Sequence, residues 1–315
     1  MSRSCMTMVC TSSRCWCEDL TQVIVQLYSA AVTGQNVWLF PRAISQIEVR
    51  YLRDTYLKVI HGSRSILYQA LKIAFDYMGT RPLAAELGVL RGENAQELYT
   101  VLAPTDLYLI DAWNVSTQFE YVSQSSRRNW MNDISIYTDY YGGSLLDQQT
   151  HDTLHAATVA RFSGRTNVHI IRETTAAGLI ALRQVVNSQR PFDYIYIDAN
   201  HTYESVLDDM LMYSTILSAG GVLQLNDCCH SADGVRQNLG VLEAVIKFTK
   251  MSDFEVIAMT NTDWSDVLLV RKGSQVGVVF DAVMDVVDVA YVDVPTSLLG
   301  AARVRTGARA NLSFC

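Results

Sequence analysis

Side chains of the kind that bind or transform a ligand recur in this sequence at the ends of short apolar runs. LAAELGV continues into LRGENA and brings Glu86, Gly88 and Gly92. Asp111 closes DLYLID, Glu173 and Thr174 follow NVHII, Asp198 closes FDYIYID and leads to His201, and Asn226 and Asp227 close GGVLQLND. Glycines after a strand let the backbone approach a ligand, and the N–H groups that open the next helix are unpaired. A carboxylate at Asp111, 25 residues after Glu86, has acceptors for both hydroxyls of a ribose. The third glycine of G-x-G-x-x-G is absent, and Glu86 lies where a diphosphate would be repelled. The loop therefore fits a nucleoside without phosphates better than a dinucleotide. Cys228, Cys229 and His230 also draw attention, but three consecutive side chains cannot converge on one ion, and no distant Cys-x-x-Cys completes a set of four ligands.

These residues share a cleft only if the runs are neighbouring parallel strands. From Leu83 onward, short apolar runs alternate with helical segments over Glu93–Leu102, Ala176–Asn187, Tyr203–Leu217 and Asp233–Lys250. That alternation predicts an α/β fold, a doubly wound sheet of seven strands, mostly parallel. The last two runs, FEVIAM and DVLLV, are too close for a crossover helix, which predicts an antiparallel hairpin at one edge. The stretch 112–165 is long for a connection and rich in aromatics (Trp113, Phe119, Tyr121, Trp130, Tyr137, Tyr140, Tyr141) before a helical HDTLHAATVARF. It reads equally as a substrate lid or as a packed insertion.

Before this region, from about Asp19 to Tyr77, apolar residues recur three and four apart, as in SQIEVRYLRDTYLKVI and SILYQALKIAFDYM. That spacing predicts helices that cover the core or mediate a homo-oligomer. After it, the spacing of Asp281, Asp285 and Asp288 places three acids on one helical face opposite valines and predicts an amphipathic packing helix. The organisation is an N-terminal extension over 1–80, a central domain over 81–273 and a tail over 274–315.

Composition narrows the function classes. The chain is 49% hydrophobic and 18% charged with a net charge of −7, which disfavours broad binding to nucleic acid. No apolar run reaches the roughly 18–20 residues of a membrane span. Seven cysteines, four of them within the first 17 residues, make an odd and uneven set that points to a reducing, cytoplasmic setting. The acid-free start, with two arginines and many Ser/Thr, gives an organelle-targeting segment as the alternative.

Taken together, E-x-G-x-x-x-G after the first strand, an acid ending the second and the terminal hairpin resemble the class I S-adenosylmethionine-dependent methyltransferases, which have a Rossmann-like fold. More narrowly, YIDANHTYESVLDDMLMYSTILSAGGVLQLND is similar to the macrocin-type (methyltransferase 24-like) O-methyltransferases. The resemblance spans roughly residues 81–272. It implies that Gly88 and Gly92 flank the methionine part of S-adenosylmethionine with Glu86 near its amino group, that Asp111 holds the ribose, and that Glu173 and Thr174 lie beside the adenine. It further implies a divalent cation such as Mg²⁺ on Asp198, Asn226 and Asp227, with His201 as proton acceptor beside Asp198 and a small hydroxylated metabolite as substrate.

At Asn226 this chain departs from the family's acid, so a metal-bound and a metal-free site both stand. Two other functions also stand: a nucleotide-cofactor oxidoreductase on the same topology, and a scaffold that binds S-adenosylmethionine without catalysis.

Overall fold

The computed structural model describes residues 56–117, 129, 131–188, 190–229, 231–262, 264–305 and 311–313. All seven expected strands are present: β2 (Ala84–Leu87), β3 (Leu107–Asp111), β4 (Val168–Arg172), β5 (Phe192–Ile197), β6 (Leu217–Leu225), β7 (Phe254–Thr260) and β8 (Val267–Arg271). They lie side by side as β4-β3-β2-β5-β6-β8-β7. β8 runs antiparallel to β6 and β7, which gives the expected hairpin, and the other pairs are parallel. Strand order reverses between β2 and β5, and the crevice beyond their carboxyl ends is where such sheets bind ligands.

β5 shows why these runs become central strands. All six residues of FDYIYI are buried, with Phe192, Ile195 and Ile197 in one core cluster and Tyr194 and Tyr196 in the other. Each large apolar side chain buried this way stabilises the fold by about 1.5–3 kcal/mol. Helices α1 (Arg64–Tyr77), α2 (Glu93–Leu102) and α9 (Gln275–Val286) close one core, and α5 (Thr175–Ser188), α6 (Tyr203–Tyr213) and α8 (Val241–Met251) close the other. The insertion supplies α3 (Thr138–Tyr141) and α4 (Gln148–Arg161), and α7 (Ala232–Arg236) precedes α8.

The sheet has nine strands among the described residues, two more than expected. β1 (Tyr56–Ile60), inside the segment read as helical, pairs in parallel with β7, and β9 (Tyr291–Pro295), in the tail beyond the expected helix, pairs antiparallel with β1. YLKVI fits both helical and strand periodicity, and the open edge of β7 decides in favour of the strand. The pairing is reinforced by Lys58, a buried residue of β1 whose Nζ lies 2.9 Å from Asp281, 3.5 Å from Asp285 and 3.2 Å from Asp293. Asp281 and Asp285 thus share a face as expected, while Asp288 lies past the end of α9.

Two helices are shorter than expected. α6 stops at Tyr213, and the helix expected from Asp233 breaks into α7 and α8 at Gly240. A Cβ at Gly240 would lie 2.5 Å from the Tyr203 nitrogen, and its own N–H donates to the His201 carbonyl at 2.8 Å. The break therefore ties α8 to the loop that carries His201. Among the described residues no helix is long and apolar enough to cross a membrane. The four N-terminal cysteines, Phe119, Tyr121, Trp130, His230 and Cys315 lie outside the described residues.

Candidate active site

A cavity of about 1420 Å³ opens at the carboxyl ends of β2–β6, and Glu86, Gly88, Asp111, Glu173, Thr174, Asp198, His201, Asn226 and Asp227 all line it. Gly92 does not. It takes φ +72° at the start of α2, where an added Cβ would lie 3.0 Å from the Phe162 ring and 3.4 Å from Thr158, so this glycine makes room for α4. Gly88, at φ +79°, has a similar task, since a Cβ there would lie 2.1 Å from the Asp198 carbonyl oxygen. Three non-glycine residues around the cavity also hold left-handed backbone, Leu90 (φ 56°), Trp113 (φ 38°) and Asp227 (φ 56°). Strained loops at three strand ends mark a site fixed in advance by its surroundings.

On the β2–β3 side the carboxylates are unequally provided for. Asp111 accepts hydrogen bonds from the Val89 and Leu90 N–H groups at 2.9 and 3.0 Å and from the Trp113 N–H at 2.9 Å. It thereby shapes the loop after β2 and still has one free lone pair, on Oδ1, for a ligand hydroxyl. Glu86 is fully buried, with one hydrogen bond, 3.3 Å from Asn94 Nδ2 to Oε1, and no partner for Oε2. Burial, reinforced by the charge of Asp198, holds its carboxyl well above the usual carboxylate range. Glu173 and Thr174 are exposed at the rim.

The β5–β6 side is crowded with internal partners. Asp198 Oδ1 faces His201 Nε2 at 3.0 Å and accepts from Asn226 Nδ2 at 3.1 Å. His201 Nδ1 lies 3.7 Å from Asp227. Burial alone would lower the His201 pKa, but the Asp227 charge and the bond to Asp198 raise it to about 9, so the ring rests protonated at neutral pH. As a proton acceptor it is thus already loaded.

Sequence reading missed Arg64, the first residue of α1. Its Nη1 donates to Tyr196 Oη at 2.7 Å and Asn94 Oδ1 at 3.2 Å, and its Nη2 donates to Asn226 Oδ1 at 3.2 Å. Its Nε lies 3.6 Å from Asp266 and its Nη1 4.0 Å from Asp198. Asp266 is buried at the start of β8 and accepts from Tyr196 Oη and Gln224 Nε2, each at 2.8 Å. Burial lifts its pKa to about 7 against the opposing pull of Arg64. The parallel strand β1 delivers α1 at the carboxyl ends of the sheet, and this places the guanidinium in the cleft.

The donor set does not fit the expected cation on Asp198, Asn226 and Asp227. Asn226 turns its amide oxygen to Arg64 and its NH₂ to Asp198, and a protonated His201 lies between Asp198 and Asp227. Among the described residues no group of three or more His, Cys, Asp or Glu is disposed to hold a metal ion.

Other expectations also shift. Cys228 and Cys229 are buried core residues off the cavity rather than turn residues beside it. Asp209 is buried, and its carboxyl bonds to Thr175. Trp113 is packed, with its ring 4.8 Å from His155 and Nε1 donating to the Leu90 carbonyl at 2.8 Å. Trp113 is therefore a packed part of the cavity wall, which Tyr137, Tyr140 and Tyr141 also line.

A family model described as a methyltransferase domain matches residues 85–228. These residues are thus similar to that family of methyltransferase domains over a little less than half of the chain. Solved structures similar to the chain include an O-methyltransferase from Bacillus cereus in complex with SAH, with 13% identity over 81% of this chain and 91% of that one at a TM-score of 0.41. A fibrillarin pre-rRNA processing protein from Methanococcus jannaschii matches at 11% identity over 72% of this chain and 85% of that one, with a TM-score of 0.39. No curated protein matches the chain in sequence. The matched stretch contains every sequence-derived site residue, from Glu86 to Asp227, whereas Arg64 and Asp266 are contributed from outside it.

Proposed function

We propose that this protein transfers the methyl group of S-adenosylmethionine to an oxygen of a small hydroxylated metabolite. Glu86 carries the reading: a buried carboxylate that lines the cavity with an unpartnered oxygen is a site waiting for a cation. The ammonium of the methionine part supplies one. In this reading Asp111 receives a ribose hydroxyl through its remaining lone pair, Gly88 and Gly92 set the loop and helix between them, and Glu173 and Thr174 border the adenine. The cofactor supplies an electrophilic methyl carbon when bound.

The chain's own residues then position the acceptor and take its proton. Asp198 is the resting acceptor, because its carboxylate lies in the cavity while the His201 imidazolium steadies it through Nε2. Holding the reacting oxygen in line with the methyl carbon supplies most of the acceleration. No step needs a metal ion on these residues.

Calorimetric titration with S-adenosylmethionine and, separately, NAD tests the reading. Saturable heat with the former and none with the latter is expected. Burial raises the Glu86 pKa and an ammonium partner would lower it, so any proton released on binding is read from the heat's dependence on buffer ionisation. No heat with S-adenosylmethionine rejects the reading, and binding without methyl transfer to any hydroxylated acceptor reduces it to a scaffold.

A further inference from the structure

Resting on the reading of this cavity as a methyl-transfer site, we propose that Arg64 is the permanent cation of the cluster formed by Asp198, Asn226 and Asp266, and that this cluster takes no divalent metal ion. A divalent ion needs several oxygens turned toward one point with nothing between them. Here Arg64 stands among those oxygens, at 3.2 Å from Asn226 Oδ1, 3.6 Å from Asp266 Oδ1 and 4.0 Å from Asp198 Oδ2. Asn226 explains itself in this arrangement. An aspartate there would offer acceptors only, whereas the amide accepts from Arg64 and donates to Asp198 at 3.1 Å, linking cation and carboxylate.

The guanidinium is held too firmly to step aside. Tyr196 and Asn94 take both hydrogens of Nη1, and Tyr196 passes a further bond to Asp266 at 2.8 Å. Burial opposes its charge, but Tyr196, Asp266 and Asp198 outweigh that and raise its pKa. Arg64 therefore never deprotonates to vacate the site. Nη2 has two hydrogens to donate and gives one to Asn226, and Arg64 lines the cavity, so a substrate oxygen can meet a fixed N–H in place of a metal. This makes Arg64 a positioning residue for Asp198 and Asn226.

The full chain, treated with chelator and dialysed, is titrated with Mn²⁺ and Mg²⁺ by calorimetry and with Mn²⁺ by electron paramagnetic resonance, alongside Arg64→Met and Arg64→Lys. Thermal melting reports the fold of each. Wild type and Arg64→Lys are expected to show no saturable binding. Arg64→Met should bind Mn²⁺ at least about tenfold more tightly than wild type, because a unit charge about 4 Å away exceeds one factor of ten at a protein's effective dielectric. A merely structural arginine would not produce that gain.

Saturable Mn²⁺ binding by the wild type overturns the proposal, as does a folded Arg64→Met that gains nothing. If Arg64→Met does not fold, the wild type and Arg64→Lys decide. S-adenosylmethionine is titrated into the same samples: its failure to bind rejects the methyl-transfer reading and leaves the metal result to stand by itself.

Discussion

Glu86 and Asp198 sit at the ends of neighbouring strands, and only one of them is provided for. Glu86 has one long hydrogen bond and a bare oxygen. Asp198 has His201, Asn226 and the more distant Arg64 around it. A carboxylate removed from water must be protonated, paired or given a ligand. The β2 side leaves that demand open for whatever enters, and the β5–β6 side meets it from within the chain. The contrast assigns binding to the first half and rigid placement to the second.

The largest expected effect lies where the two halves touch. Gly88→Ala would drive a methyl group to within 2.1 Å of the Asp198 carbonyl oxygen at a φ of +79°. The left-handed backbone and the overlap together cost about 3 kcal/mol, read as a lowered midpoint in chemical denaturation, with ligand binding lost as the loops part. Gly79→Ala is the control, since it shares the left-handed backbone at φ +65° but meets nothing within 4 Å. It should cost only about 1 kcal/mol. Equal losses for the two would mean that the contact between the halves is slack.

Next in size is Glu86→Gln, for which stability and binding should move in opposite directions. Removing a buried ionisable group with no partner relieves desolvation and raises the denaturation midpoint slightly. Loss of a charge-assisted bond to an ammonium weakens S-adenosylmethionine by about 30-fold, in line with the roughly 1.5–3 kcal/mol such bonds contribute. Any proton released on binding through Glu86 should vanish with it. A variant that is destabilised and still binds would show that Glu86 is a structural acid like Asp266.

What was legible in the sequence follows the same division. Each of the seven runs was long and apolar enough to announce a strand, and a strand in a parallel sheet delivers its last residues to one edge. Glu86, Asp111, Asp198, Asn226 and Asp227 could therefore be found one run at a time. Arg64 could not, because its contacts with Asn94, Tyr196, Asn226 and Asp266 depend on α1 being aimed by β1. Five residues of mixed periodicity do not reveal that they form a strand until the edge they extend is known. The packing tasks of Gly88 and Gly92 were hidden for a related reason: the sequence shows that a side chain is missing, and only the packing shows which other segment of the chain takes up the space.

The smallest effect tests how well the second half neutralises itself. His201 should titrate near 9 by NMR, above its ordinary 6.5. Asp227→Asn should move that midpoint down, since burial already pulls it down and the Asp227 charge does the most to hold it up. A histidine whose folded pKa is raised contributes stability that is fully present below 6.5 and is lost as pH climbs through about 9. With the ring about a quarter exposed, that loss amounts to roughly 1–2 kcal/mol in wild type and less in Asp227→Asn. A His201 that titrates at its ordinary value, with stability flat from pH 7 to 10, would mean that Asp198 and Asp227 do not hold the proton between them. The β5–β6 side would then be as open to a ligand as the β2 side, and the contrast between the two halves would fail.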